Sequence, residues 1–119
     1  MVFALALSGA PAALADDPSQ MLRAFADCTG RYTALTEHLW LFDGAASDGT
    51  AARRDAFADL VEAALPDAGV SAVTARGWRI EARAAQAALL SAATFRRDER
   101  AAAAATAWLS HCDRLLPGA

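Results

Sequence analysis

The sequence predicts an all-α protein, an antiparallel up-down-up-down four-helix bundle with helices over roughly 19–43, 50–65, 71–94 and 98–116. Three observations predict it. Apolar residues recur at spacings of three and four in four successive segments, and nothing alternates with period two for long enough to make a strand. The connections between segments are short, as in antiparallel bundles. The two cysteines, Cys28 and Cys112, fall at matching depths on the first and last segments.

In the first segment Met21, Phe25, Cys28, Tyr32, Leu35, Leu39 and Phe42 are spaced 4-3-4-3-4-3, which places all seven on one uncharged stripe of a long helix. Pro18-Ser19 marks its start. Asp43-Gly44 marks its stop, because glycine takes the left-handed conformation that ends helices. The second helix, from about Thr50, turns Phe57, Leu60, Val61 and Ala64 inward, with Ser47 or Asp48 as candidate N-caps and Pro66 beyond its end. The third starts near Ser71 and carries two apolar sides: Val73, Ile80, Ala84 and Ala87 on one, Trp78 and Leu89 on the other. So wide an apolar arc predicts two packing neighbours. The fourth is capped by Asp98 and turns Ala101, Ala105, Trp108, Cys112 and Leu115 inward before Pro117-Gly118 ends it. The expected core is Phe25, Tyr32, Leu35, Leu39, Phe57, Leu60, Ile80 and Trp108. Gly30 and Gly77 are positions where a neighbouring helix could approach closely, since glycine inside a helix otherwise costs about 1 kcal/mol.

Cys28 sits about nine residues into the first helix and Cys112 about four from the end of the last, so at 1.5 Å per residue their depths differ by about 7 Å. Both lie on inner stripes. A disulfide between them would close a loop of about 85 residues and stabilise the fold by about 4 to 5 kcal/mol on the chain-entropy model. A bridge also suits the expected compartment. Met1 to Ala15 is uncharged, holds an apolar stretch from Val2 to Leu7 and ends in Ala13-Leu14-Ala15 before Asp16-Asp17, which reads as the end of a signal peptide. The basic residues that open such peptides are missing, so the true start is expected upstream of Met1. Gly9 and Pro11 interrupt the stretch well short of the roughly 20 residues a membrane span needs. The mature chain is then one helical-bundle domain over 16–119, periplasmic or secreted in a bacterium.

Composition excludes more than it assigns. The 119 residues include 34 alanines and eleven arginines with no lysine or asparagine, 55% are apolar and the net charge is -3. The chain is therefore neither disordered nor basic enough to bind nucleic acid. Catalytic and cofactor motifs are missing as well. There is no CxxC or CxxCH, the Glu-x-x-His of di-iron bundles is absent, and the turn Asp43 to Gly49 lacks the alternating oxygens of a calcium loop. His38 and His111 stand too far apart along a bundle to share a metal. Met21 and His111 superficially resemble the axial ligands of periplasmic b-type haem bundles. With the cysteines bridged, however, they are offset by about 10 Å along the axis. No metal or cofactor is expected, and the chain reads as non-enzymatic.

What remains is surface. Leu39-Trp40-Leu41-Phe42 is apolar at four successive positions, and Trp40 and Leu41 fall outside the core stripe. The proposed topology brings Arg53, Arg54, Arg96, Arg97 and Arg100 to the same end of the bundle. Tryptophan and arginine are favoured interface anchors, so this end is the candidate contact surface for a protein partner or a second copy. The competing expectation buries Trp40 beneath the Asp43 to Thr50 connection. The leading functional expectation is a binding or accessory module, and the alternative is a small-molecule or haem carrier. The bridge gives the first testable outcome: denatured but unreduced protein should present no titratable thiol, and two thiols would refute the pairing of Cys28 with Cys112.

Overall fold

The computed structural model describes residues 17–117 and is all-helical, a four-helix bundle. The proposed signal-peptide segment lies outside the described residues. Helix α1 spans Pro18–Leu39, α2 Gly44–Ala64, α3 Ala72–Phe95 and α4 Glu99–Asp113, with a single 3₁₀ turn at Leu65–Asp67 between α2 and α3. Each start carries a side-chain cap that takes up an otherwise orphaned backbone N–H. Asp17 accepts from Ser19, with Pro18 in the first turn where its missing N–H costs nothing. Asp43 accepts from Ala46, Ser71 from Thr74 and Asp98 from Ala101.

Two boundaries correct the sequence reading. Helix α1 ends at Leu39 rather than residue 43, and α2 begins at Gly44 rather than residue 50. The same dipeptide explains both: Asp43-Gly44 starts a helix instead of stopping one, because the Asp43 carboxylate caps α2. Ser47 and Asp48 are therefore inside α2, and the buried Ser47 hydroxyl donates to the Gly44 carbonyl. The last helix also ends earlier than expected, at Asp113.

Helix α1 is the hub. Leu22, Ala26, Cys28, Thr29, Gly30, Arg31, Tyr32, Ala34 and Thr36 are all buried, which leaves it little free face. Its most extensive contacts are with α3 and α2, whereas α2 hardly touches α3 or α4. Helices α1 and α3 run parallel: Arg23 lies over Trp78, Arg31 reaches Gln86 and His38 reaches Thr94. Helix direction alternates along the chain, but α1 and α3 are neighbours rather than opposite corners of a square. Gly30 makes this possible. A Cβ built there would lie 2.2 Å from the Arg79 carbonyl oxygen and 2.9 Å from the Arg83 amide nitrogen, so only glycine admits the α3 backbone. Gly77, by contrast, faces open space.

The second interface is apolar and aromatic. Cys28, Tyr32, Phe57 and Cys112 form a buried cluster against which Phe25, Leu35, Leu60, Leu109, Leu115 and Leu116 pack. The Cys28–Cys112 disulfide is formed, with its Cα atoms 5.6 Å apart, and it joins α1 to α4 inside this cluster. Tyr32 stacks on Phe57 with ring centroids 6.0 Å apart. Its hydroxyl donates to Asp113, which also accepts from Arg53.

Two expected core residues are not core. Ile80 is mostly exposed and Trp108 is two-fifths exposed. Helix α3 instead turns Ala75, Ala82, Gln86 and Ala92 inward: the three alanines suit close approach of the helices, and the long Gln86 side chain is accommodated by its bonds to Arg31 and the Ala105 carbonyl. Val73, Ile80, Ala84 and Ala87 consequently point outward.

Two outcomes follow from these contacts. Gly30→Ala should destabilise the protein by about 2 to 3 kcal/mol, since the added carbon meets backbone and the helices must part; denaturant unfolding showing a loss below about 0.5 kcal/mol would refute the contact. Burial, and then the hydrogen bond and charge of Asp113, push the Tyr32 phenol up to about 12 from its ordinary 10. The folded state thus holds this proton more tightly than the unfolded chain, so Tyr32 contributes stability below pH 10 that is lost as pH climbs toward 12. Tyr32 is the only tyrosine, so phenolate absorbance reads it directly, and a midpoint near 10 would contradict its burial.

Candidate functional site

The ends of α1 and α3 and the starts of α2 and α4 meet at one pole. Helix α1 closes there in a tightened turn: Leu41 N–H donates to the His38 carbonyl, and the amides of Phe42 and Asp43 both donate to the Leu39 carbonyl. Because Asp43 caps α2, only residues 40–43 connect the two helices, and the rest of the Asp43 to Thr50 segment that could have covered Trp40 is itself helical. Trp40 is 61% exposed and Leu41 70% exposed, and Phe42 and Phe95 are each more than half exposed. Phe42 and Phe95 have ring centroids 6.1 Å apart. The His38 ring completes the group, 5.1 Å from Phe42 and 6.5 Å from Phe95, with its Nε2 3.1 Å from the Thr94 hydroxyl. The pole therefore presents a continuous aromatic surface formed by α1, its turn and the last residue of α3.

Three of the five expected arginines belong to this end. Arg96 and Arg97 follow Phe95 in the α3–α4 connection, and Arg100 lies in the first turn of α4. All three are exposed, and none forms an ion pair among the described residues. Arg97 has φ 53°, the left-handed region where glycine is usual and a β-carbon is costly. The other two do not join them. Arg53 lies nine residues into α2 and binds Asp113 at the far end of α4 at 2.6 Å. Arg54 pairs with its neighbour Asp55 at 3.0 Å. The expected placement of both assumed that α2 starts at residue 50; the two earlier turns of helix carry them down the bundle.

Sequence reading also missed two members. Phe42 counts toward the α1 stripe only if α1 runs through it, and Phe95 lies on no expected stripe. The one available signal was the position of Phe95, immediately before Arg96-Arg97-Asp98, where a helix must end. Glu37 and His38, adjacent in sequence, go separate ways: Glu37 accepts from Arg83, Nε to Oε1 at 2.8 Å, and His38 joins the aromatic group.

A second cluster lies deeper. Arg31 is buried, its Nη1 donates to Gln86 Oε1 at 2.7 Å and its guanidinium lies 3.8 Å from the centroid of Trp108. Gln86, fully buried, returns a bond from Nε2 to the Ala105 carbonyl at 3.2 Å, while Arg31 Nε has no partner. Burial lowers the pKa of Arg31, an effect partly opposed by Asp27. Burial likewise raises Asp27, against the pull of Arg23 and Arg31. This cluster ties α4 to α1 and α3. Separately, a cleft of about 310 Å³ opens between α2 and α3 over Ala26 and Thr29 of α1, with Asp59 and Glu62 on one wall and Arg76 and Arg79 on the other. Among the described residues no three His, Cys, Asp or Glu side chains converge as a metal site, and no helix is long and apolar enough to cross a membrane.

Fold and surface together define a disulfide-linked helical bundle whose one pole exposes an aromatic cluster beside free arginines. The chain matches no protein-family model, no curated protein and no solved structure.

Proposed function

We propose that the protein is an exported, non-enzymatic binding or accessory module of the bacterial periplasm, and that it engages a protein partner through the pole bearing Trp40, Leu41, Phe42 and Phe95. One observation carries this reading: four large apolar side chains are exposed at one end of a small domain that has other residues for its core, with the Phe42 and Phe95 rings 6.1 Å apart. Contiguous exposed apolar surface of this kind marks interaction sites. Aromatic anchors at its centre with arginines at its edge match the composition of energetically dominant contacts. Arg96, Arg97 and Arg100, unpaired among the described residues, are available to grip carboxylates in the two-pronged geometry that guanidinium permits. The Cys28–Cys112 bridge supports the exported compartment, where such bonds persist.

A small-molecule carrier is the second reading, and the cleft between α2 and α3 favours it, since its volume of about 310 Å³ reaches the lower end of ligand pockets. Nothing in the geometry favours the haem form of that reading. His111 packs edge-on against Trp108, and Met21 lies near the other end of a different stripe.

The double substitution Trp40→Ala with Leu41→Ser separates a contact surface from a structural one. Both side chains are exposed, so thermal stability should change by less than about 1 kcal/mol, while a partner captured by cross-linking in periplasmic extract should be lost. A stability loss of the several kcal/mol typical of truncating a buried aromatic, or capture that survives the substitutions, would end the proposal.

A further inference from the structure

Helix α3 has two faces free of charge, and the described residues cover only one. Ala75, Ala82 and Gln86 point into the bundle. On the opposite side Val73, Gly77, Ile80, Ala84, Ala87 and Ser91 are spaced 4-3-4-3-4 and form an uncharged stripe along the helix. It is more than a run of small residues. Val73 is 74% exposed, Ile80 is more than half exposed, and space around Gly77 is open. We propose that this stripe is the seam of a parallel homodimer, in which α3 of one chain pairs with α3 of a second copy.

The spacing is that of a coiled-coil seam, with Val73, Ile80 and Ala87 at d positions and Gly77, Ala84 and Ser91 at a positions. The flanking charges choose the occupant and its direction. Arg76 and Arg83 fall at g positions and Glu81 at an e position. In a parallel pair each g residue faces the e residue five places further on in the other chain, so Arg76 meets Glu81 of the partner, twice by symmetry. In an antiparallel pair g faces g, and arginine would face arginine. Arg76 and Glu81 are both exposed and in no ion pair among the described residues, whereas Arg83 is already bound to Glu37. Both charges that a parallel partner needs are thus unpaired among the described residues. Small residues at the a positions let the two α3 backbones approach closely, and Val73 and Ile80 supply the apolar area.

This surface is separate from the pole, and its test is independent of the partner proposed there. Sedimentation equilibrium of the disulfide-bonded chain at about 200 μM, far above a micromolar Kd, should give twice the monomer mass. Ile80→Glu should make the protein monomeric with its helical circular dichroism unchanged. Arg76→Glu should weaken association about tenfold or more, because two attractive pairs become repulsive, and adding Glu81→Arg should restore it to within about threefold. Trp40→Ala with Leu41→Ser should leave the dimer intact. A wild-type monomer, a dimer indifferent to Ile80→Glu, a charge reversal that fails to restore association, or a dimer lost with the Trp40 and Leu41 substitutions would each overturn the seam.

Discussion

The contact on which the rest of this bundle depends is the approach of the α3 backbone to Gly30. With no β-carbon in the way, α1 and α3 meet backbone to backbone, and the interface they share is built from Ala26, Ala34, Ala75 and Ala82 rather than from large apolar side chains. Apart from Gln86, held by its bonds to Arg31 and the Ala105 carbonyl, the buried residues of α3 are all alanines, and Val73 and Ile80 are turned out. The same contact fixes the layout. Once α1 and α3 are neighbours, α2 can pack on α1 without touching α3 along its length, which leaves the cleft over Ala26 and Thr29.

A small-residue interface buries little apolar area per residue, so stability must come from elsewhere. The cluster of Cys28, Tyr32, Phe57 and Cys112 supplies it on the other flank of α1. Helix α4 has few contacts of its own with α1, and its attachment there is covalent. The disulfide sits where Phe57 of α2 reaches between the two helices, so one bond closes a loop across 84 positions and also fills the densest part of the core. Buried polar groups secure the rest of α4: Gln86 satisfies Arg31 with its oxygen and Ala105 with its nitrogen, and Trp108 covers the cation. Burying arginine without a carboxylate is costly, and the π-face recovers part of that cost. Trp108 performs this task from the edge of the bundle, which is why it remains partly exposed.

The legible parts of this fold were those written in large or chemically distinctive side chains. Four helices, the disulfide, the start of α3 near Ser71 and the cap at Asp98 follow directly from spacing, redox chemistry and hydrogen-bonding capacity. The face of α3 was not legible, because in an alanine-rich helix the few large residues dominate any periodic signal, and here they mark the outside. Neither expected side of the arc is the buried one: Val73, Ile80, Ala84 and Ala87 face outward, Trp78 and Leu89 are half-buried, and the buried residues are Ala75, Ala82, Gln86 and Ala92. The pole was half legible. Trp40 and Leu41 stand out by falling off the core stripe, whereas Phe42, Phe95 and the exclusion of Arg53 depend on whether Asp43 ends one helix or caps the next. That choice is tertiary: the short connection is favoured because it lets α2 bring Phe57 to Tyr32 and the disulfide.

The same choice generates the exposed surface. A helix ending at Leu39 leaves Trp40, Leu41 and Phe42 on a turn that the other described residues leave exposed, and α3, held parallel to α1 by Gly30, ends at the same level and adds Phe95. Two parallel neighbours necessarily finish at the same pole, so the glycine contact deep in the bundle is what gathers these aromatic residues together. Pairing of two chains along parallel α3 helices would extend this logic, since both poles would then face the same way. A partner with two attachment points would meet the second pole at the high effective concentration that tethering confers, and weak individual contacts through exposed aromatic residues would suffice for durable binding.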